Sequence, residues 1–189
     1  MSFLKTTLYP LFRSSAIASI TLGGGDFLSQ QIEGGHSSRE WDWQRTLRFA
    51  IVGATLQGPY FYLGFRQVDK IFGPQQTLVT AMKKTLTSQV TLFPVYLGLL
   101  FPYLTYLEGK STDQMIQKTK DVWWKTFVNG AIFWPIANVI NFSMFPPGTA
   151  RVLFVGVSGV FWNCYVSSVN YVANEKTKFK EELEQERSQ

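Results

Sequence analysis

The sequence predicts an all-α fold, a polytopic transmembrane helix bundle of four to five spans with proline-interrupted helices. Three observations predict it: the spacing of the charged residues, the placing of the aromatic ones, and prolines inside otherwise apolar helical stretches. Charged residues make up 16% of the 189, against about 25% in soluble domains. Runs free of Asp, Glu, Lys and Arg cover positions 49–65, 85–107, 126–150 and 152–174, which are 17, 23, 25 and 23 residues long. A helix needs about 20 mainly apolar residues to cross the hydrocarbon, whereas a helix on a soluble core shows polar residues every third or fourth place. A chain of this length cannot cover four apolar core helices with enough polar ones to keep them from water. Aromatic residues, 16% of the total, suit the bilayer interfaces where Trp and Tyr rings settle.

Each element follows in order. Residues 1–25 hold Lys5 and Arg13 and no acid, as a mitochondrial targeting segment or the flank of a first membrane helix would. Leu8 to Ile32 carries only Arg13 and Asp26 and is expected to be a first, less hydrophobic helix. Within it, Gly23-Gly24-Gly25-Asp26 lacks the Gly-Lys-Ser/Thr that completes a phosphate loop, and small residues there allow close helix packing instead. Glu33 to Asp42 is a polar link broken at Gly34-Gly35, after which Trp41, Trp43, Arg45 and Arg48 mark an interface. The second span contains Gly58-Pro59 at mid-length, tolerable where the freed backbone group is buried in protein or faces a polar cavity. The third, about Lys84 to Leu107, contains Pro94 and Pro102.

Glu108 to Lys125 is charged and is expected as an amphipathic segment at the membrane surface, leading into the fourth span. That span holds Trp134-Pro135, Asn138 and Asn141 and ends at Pro146-Pro147-Gly148. After Arg151, Val152 to Tyr171 forms a fifth apolar segment. The domain plan is one transmembrane domain over 1–174 and a charged, solvated helical tail over 175–189.

The formal charge is +5, but basic residues are dispersed between the apolar windows and form no long basic arm. The lipid bilayer is therefore the first partner expected, direct nucleic-acid binding is not, and a homo-oligomer stays open. Cys164 is the one cysteine and His36 the one histidine, so neither an internal disulfide nor a His-rich metal site is available. No nucleophile motif and no carboxylate pair outside the acidic tail occur. The chain is not expected to be an enzyme, and no cofactor is implied.

Polar groups at membrane depth carry more information. Asp26, Gln30, Gln57, Gln89, Asn129, Asn138, Asn141, Asn163 and Asn170 fall in or beside apolar windows. Unpaired amides and carboxylates are costly in hydrocarbon, so these should face other helices or a wet cavity. Two readings stand side by side: interhelical hydrogen bonds, about 0.6 kcal/mol each, or a hydrophilic pathway. Asn138 and Asn141 share a helical face with Trp134. Arg45, Arg48 and Arg151 sit at window boundaries, and Asp26 is expected to pair with one of them, Arg151 being the first choice. The candidate pathway or buried polar residues are thus Asp26, Gln30, Arg45, Arg48, Gln89, Asn138, Asn141, Arg151 and Asn163.

Several of these stand in a recognisable order. Gly25-Asp26 with Gln30 comes first, then Arg45 and Arg48, Gly58-Pro59, Asp69, and Lys83-Lys84 with Gln89 and Pro94. Trp134-Pro135, Asn141-Phe142, Pro146, Arg151, Trp162-Asn163, Tyr165 and Ser167 complete it. From about Leu8 to Tyr171 the chain resembles the Mpv-seventeen family, which includes the twenty-two-kilodalton peroxisomal membrane protein. It departs from that pattern at Ser88, where the family usually has Asp, at Asn138, usually Gln, and at Gly64-Phe65, usually an aromatic pair. The resemblance implies four spans and a weakly selective channel or transporter-like role for small solutes, linked to mitochondrial homeostasis and DNA maintenance. It implies the mitochondrial inner membrane, with the peroxisomal membrane as the alternative. The competing reading is a non-transporting membrane scaffold that binds mitochondrial translation or nucleoid proteins.

Overall fold

The computed structural model describes residues 8–34, 41–73, 77–144 and 149–187, side chains excepted at 34, 139, 141–143, 149–153 and 155. Expectations for Lys5, Gly35, His36 and Pro146-Pro147-Gly148 lie outside the described residues. The described chain is helical, without a strand. Its helices are α1 (Tyr9–Gly34), α2 (Trp43–Val52), a π-turn (Gly53–Gln57), α3 (Gly58–Phe72), α4 (Leu78–Leu107), α5 (Thr112–Met144) and α6 (Thr149–Arg187).

Local chemistry sets these boundaries. The Asp42 side chain accepts from the Arg45 amide at 2.9 Å and starts α2. Thr77 does the same for α4 through the Thr80 amide, at 3.2 Å. Ser111 and Gln114 exchange bonds at the head of α5: the Ser111 amide donates to Gln114 Oε1 at 3.0 Å, and the Gln114 amide donates to Ser111 Oγ at 3.4 Å. Gly73 and Gly109, at φ 75° and 73°, lead the chain out of α3 and α4 through a conformation open chiefly to glycine.

The prolines are accommodated rather than obeyed as breaks. Ahead of Pro59 the backbone widens into the π-turn, so α2 and α3 run on as one rod. Ser14 Oγ of α1 donates to the Gly58 carbonyl at 3.2 Å. Around Pro94, Tyr60 OH donates to the Leu92 carbonyl at 2.8 Å and Trp123 Nε1 to the Pro94 carbonyl at 3.0 Å. Neighbouring helices thus hydrogen-bond carbonyls around the proline-weakened turns.

The rods pack as a ring. α1 lies against α6 and against the α2–α3 rod, α3 against α4, α4 against α5, and α5 against α6. A dry core of Leu22, Phe49, Val52, Leu97, Leu100, Phe101, Leu104 and Val166 fills the end where α4 finishes. The outward faces are apolar as well: Ile20, Leu86, Val90, Val95, Ile132, Ile136, Val157 and Phe161 are exposed. Asp26, Ser29, Lys118, Thr126, Ser167 and Asn170 are buried.

One expectation changes. The Glu108–Lys125 segment is not a separate surface helix, because from Thr112 onward it is the first part of an unbroken α5. Among the described residues, the helix both long and apolar enough, on composition alone, to cross a membrane is α4. The helix of the tail is continuous with α6 to Arg187.

Close packing fixes the α1–α6 contact. A Cβ on Gly25 would lie 2.8 Å from the backbone of Asn163, whereas one on Gly24 meets nothing within 4 Å. Gly25→Ala is therefore expected to lower stability by about 1–3 kcal/mol through overpacking. Gly24→Ala should be neutral or stabilising. Thermal unfolding of the two variants in detergent checks the contrast.

Candidate functional site

Asp26, Ser29, Gln30 and Glu33 recur at helical spacing over the last turns of α1 and form one polar face. It meets the first turn of α2 and the middle of α6. Asp26 is fully buried. Its Oδ1 lies 2.8 Å from Arg45 Nε and accepts from Ser167 Oγ. Its Oδ2 accepts from Gln30 Nε2 at 2.8 Å and from Thr46 Oγ1 at 2.6 Å. Arg45 also reaches Glu33 with both terminal nitrogens, at 2.6 and 3.0 Å, and Ser167 Oγ at 2.8 Å. Its guanidinium carbon sits 4.9 Å from the centre of the Tyr171 ring. The Nε–H is not aligned for a hydrogen bond, so the Asp26 contact is electrostatic while Glu33 supplies the fork geometry. Burial raises the Glu33 pKa, but the hydrogen bonds from Arg45 and Ser29 and the Arg45 charge outweigh it and leave the group below its ordinary value.

The partner of Asp26 is thus Arg45 and not Arg151. Ser167 is the α6 residue level with Asp26. Arg151 opens the same helix about 24 Å away along its axis. The antiparallel return from α1 into α2 brings Arg45 alongside.

A cavity of about 690 Å³ occupies the other half of the ring. All five rods line it: Ser14 and Thr21 of α1, Gln57 and Phe61 of the π-turn and α3, Ser88 and Gln89 of α4, Trp134 and Asn138 of α5, Gly159 and Asn163 of α6. Asp69 and Lys84 border it as a pair 2.7 Å apart, with Asp69 well exposed. Phe93, Tyr96 and Trp162 line its inner part and belong also to the dry core. Gln57 Oε1 accepts from Tyr96 OH at 2.6 Å. Gln89 Nε2 is buried without a hydrogen-bond partner. The Asn138 and Asn163 side chains have none among the described residues.

A second buried cluster, of which the sequence singles out Asn170 alone, joins the end of α4, the first turns of α5 and the middle of α6. Lys118 Nζ donates to Glu108 Oε2 at 3.0 Å and to Asn174 Oδ1 at 2.7 Å. Asn170 and Asn174 donate to Glu108 Oε1 at 2.9 and 3.0 Å. Burial pushes Lys118 down to about 8, against the attraction of Glu108. Burial raises the Glu108 pKa, but the Lys118 charge and the asparagine bonds leave it lowered.

Among the sequence candidates, Asp26, Gln30 and Arg45 come together in the charged cluster, and Gln89, Asn138 and Asn163 around the cavity. Arg48 is half-buried on α2 and joins neither. The side chains of Asn141 and Arg151 lie outside those described. Glu33 was missed, although its spacing from Asp26, Ser29 and Gln30 is legible. The Glu108–Lys118 pair, ten residues apart across a turn, leaves no such periodic trace.

Fold and site define a helical protein with polar and charged clusters buried between its helices and many apolar side chains on its outer faces. The chain belongs to the Mpv17 / PMP22 family of membrane proteins, whose sequence pattern matches residues 105–167. It is 31% identical over 163 residues to PXMP2/4 family protein 4 of Dictyostelium discoideum, covering 86% of this chain and 87% of that protein. To the mitochondrial inner membrane protein Mpv17 of Caenorhabditis elegans it is 29% identical, over 85% of this chain and 86% of the relative. To peroxisomal membrane protein 2 of Bos taurus it is also 29% identical, over 86% and 84%. No solved structure matches the chain.

Two predictions follow from the charges. Asp26→Asn should cost about 3 kcal/mol, the lower end for breaking a buried pair because Glu33 still faces Arg45. Arg45→Gln, which strands two carboxylates, should cost more, and both are read from thermal unfolding in detergent. Lys118 titrates near its ordinary 10.5 when unfolded and about 8 when folded, so the unfolded chain binds more protons between those values. Stability from this group therefore rises as pH goes from about 8 toward 10.5, by at most about 1.4 kcal/mol per pH unit. Lys118→Met should abolish that slope in melts taken between those pH values.

Proposed function

We propose that the chain crosses the membrane as a ring of five helical rods and serves as a channel or transporter-like passage for small solutes. The observation that carries this is a five-sided cavity, apolar over most of its wall but bearing several amides and hydroxyls, inside a bundle whose outer faces expose many apolar side chains. At about 1.5 Å per residue, α1, the shortest rod at 26 residues, spans about 39 Å, more than the roughly 30 Å of hydrocarbon. α4 can cross on its composition. The other rods cross as parts of a bundle, their polar residues facing one another rather than lipid.

Solutes enter beside the Asp69–Lys84 pair and reach the level of Trp162 and Asn163. Beyond it, Leu97, Leu100, Phe101 and Leu104 close the way, and the Asp26–Arg45–Glu33 cluster joins α1, α2 and α6. The arrangement is that of a passage shut at one end, which opens when the rods around α4 part. The names of the relatives support placement in the mitochondrial inner membrane, with the peroxisomal membrane as the alternative. No reaction chemistry is assigned to the chain.

The protein should stay in the pellet after alkaline carbonate extraction and give reproducible conductance steps in planar bilayers. In a Cys164→Ser background, a thiol-reactive methanethiosulfonate should reduce conductance at Ser88→Cys and Asn138→Cys and spare the outward-facing Ile132→Cys. Release by carbonate would refute the membrane placement. Silence across lipids and voltages, or equal block from the outward position, would leave the scaffold role standing instead.

A further inference from the structure

We infer that the cavity is a binding site for small, uncharged, polyhydroxylated solutes, and that Gln89 selects them. Three side chains around one space, Gln89, Asn138 and Asn163, carry amides without partners among the described residues, and Gln89 is nine-tenths buried with its Nε2 shut off from solvent. Polar groups buried in a native fold are paired as a rule, so an unpaired donor bordering a cavity marks where a ligand oxygen belongs. An amide offers a donor and an acceptor together. The group that answers both is a hydroxyl.

Charge ranks ions below neutral solutes without barring them. Asp69 and Lys84 are the only charged residues among those described as lining the cavity, and each is the other's partner. An ion moving inward from that pair finds no countercharge before the apolar core, and a desolvated charge without a partner is costly. Trp134, half-buried on the wall, adds an aromatic ring beside which the C–H surface of a sugar alcohol can lie. The volume, about 690 Å³, is within the range of small-molecule sites and takes a six-carbon polyol with its remaining water. The site stands on these contacts alone; only the flux arm of its test rests on the passage proposed above.

Sorbitol and gluconate separate the cases, since they match in size and differ by a carboxylate. The full-length chain in phosphatidylcholine vesicles is followed by stopped-flow light scattering with each solute. Sorbitol should enter at least about tenfold faster than sodium gluconate. Gln89→Leu should slow sorbitol by roughly three- to tenfold, the worth of one neutral hydrogen bond. Removing an unpaired donor should not lower the thermal midpoint of that variant, which separates selection from a structural role. In parallel, sorbitol should change the tryptophan fluorescence of the detergent-purified protein saturably, at higher concentration in Gln89→Leu. Equal entry of the two solutes, or unchanged sorbitol flux in Gln89→Leu, overturns the inference and leaves the passage intact. No flux of either solute with a saturable fluorescence change overturns the passage and supports the site. No flux and no fluorescence change overturn both.

Discussion

The buried Asp26 carboxylate is the constraint on which the rest of the bundle depends. Removing a carboxylate and a guanidinium from water costs several kcal/mol per ion unless each is fully partnered. Here Asp26 has four polar neighbours drawn from α1, α2 and α6, and Arg45 adds Glu33 and the Tyr171 ring. The network therefore acts as a register mark: it sets how far α6 slides along α1. Gly25, beside Asp26, then lets the backbone of α6 approach at Asn163, and that approach places the Asn163 amide at the cavity.

Seen along its axis, the bundle divides into a packed half and an open half. α4 belongs to both: Leu97 to Leu104 fill the core, while Lys84 to Tyr96 line the opening. Tyr96 stands at the seam, its ring buried in the core and its hydroxyl bonded to Gln57 on the wall. Prolines and the π-turn lie near the same level. Weak points in the backbone thus coincide with the change from close packing to open space.

How much of this was legible depended on whether the signal was local. The first helix, read from charge spacing as Leu8 to Ile32, is Tyr9–Gly34, because one stretch nearly free of charge and one polar link suffice to define it. Family membership was readable from short ordered strings such as Trp134-Pro135 and Trp162-Asn163, and the relatives show it. The π-turn was not readable, since it answers both Pro59 and the close approach of α1 at Gly53 and Gly58. The unbroken α5 was hidden because its charged first turns resemble a surface helix until Lys118 is seen buried against Glu108. Choosing Arg151 over Arg45 was an error of length: two residues near apolar boundaries look alike in sequence, and only the helix register shows which end each occupies. Gln89, Asn138 and Asn163 were singled out separately as polar groups at depth, and what the sequence does not state is that they surround one space.

The great length of α6 has a mechanical meaning. Its 39 residues extend about 58 Å, nearly twice the hydrocarbon thickness. On the proposed placement its second half therefore stands clear of the bilayer, tied to the head of α5 near its base, where Lys118 donates to Asn174 at 2.7 Å, and nearer its tip, where Gln114 donates to Glu181 at 2.6 Å. Two ties at different heights make a lever: a tilt of the buried half against α1 must carry the head of α5 with it.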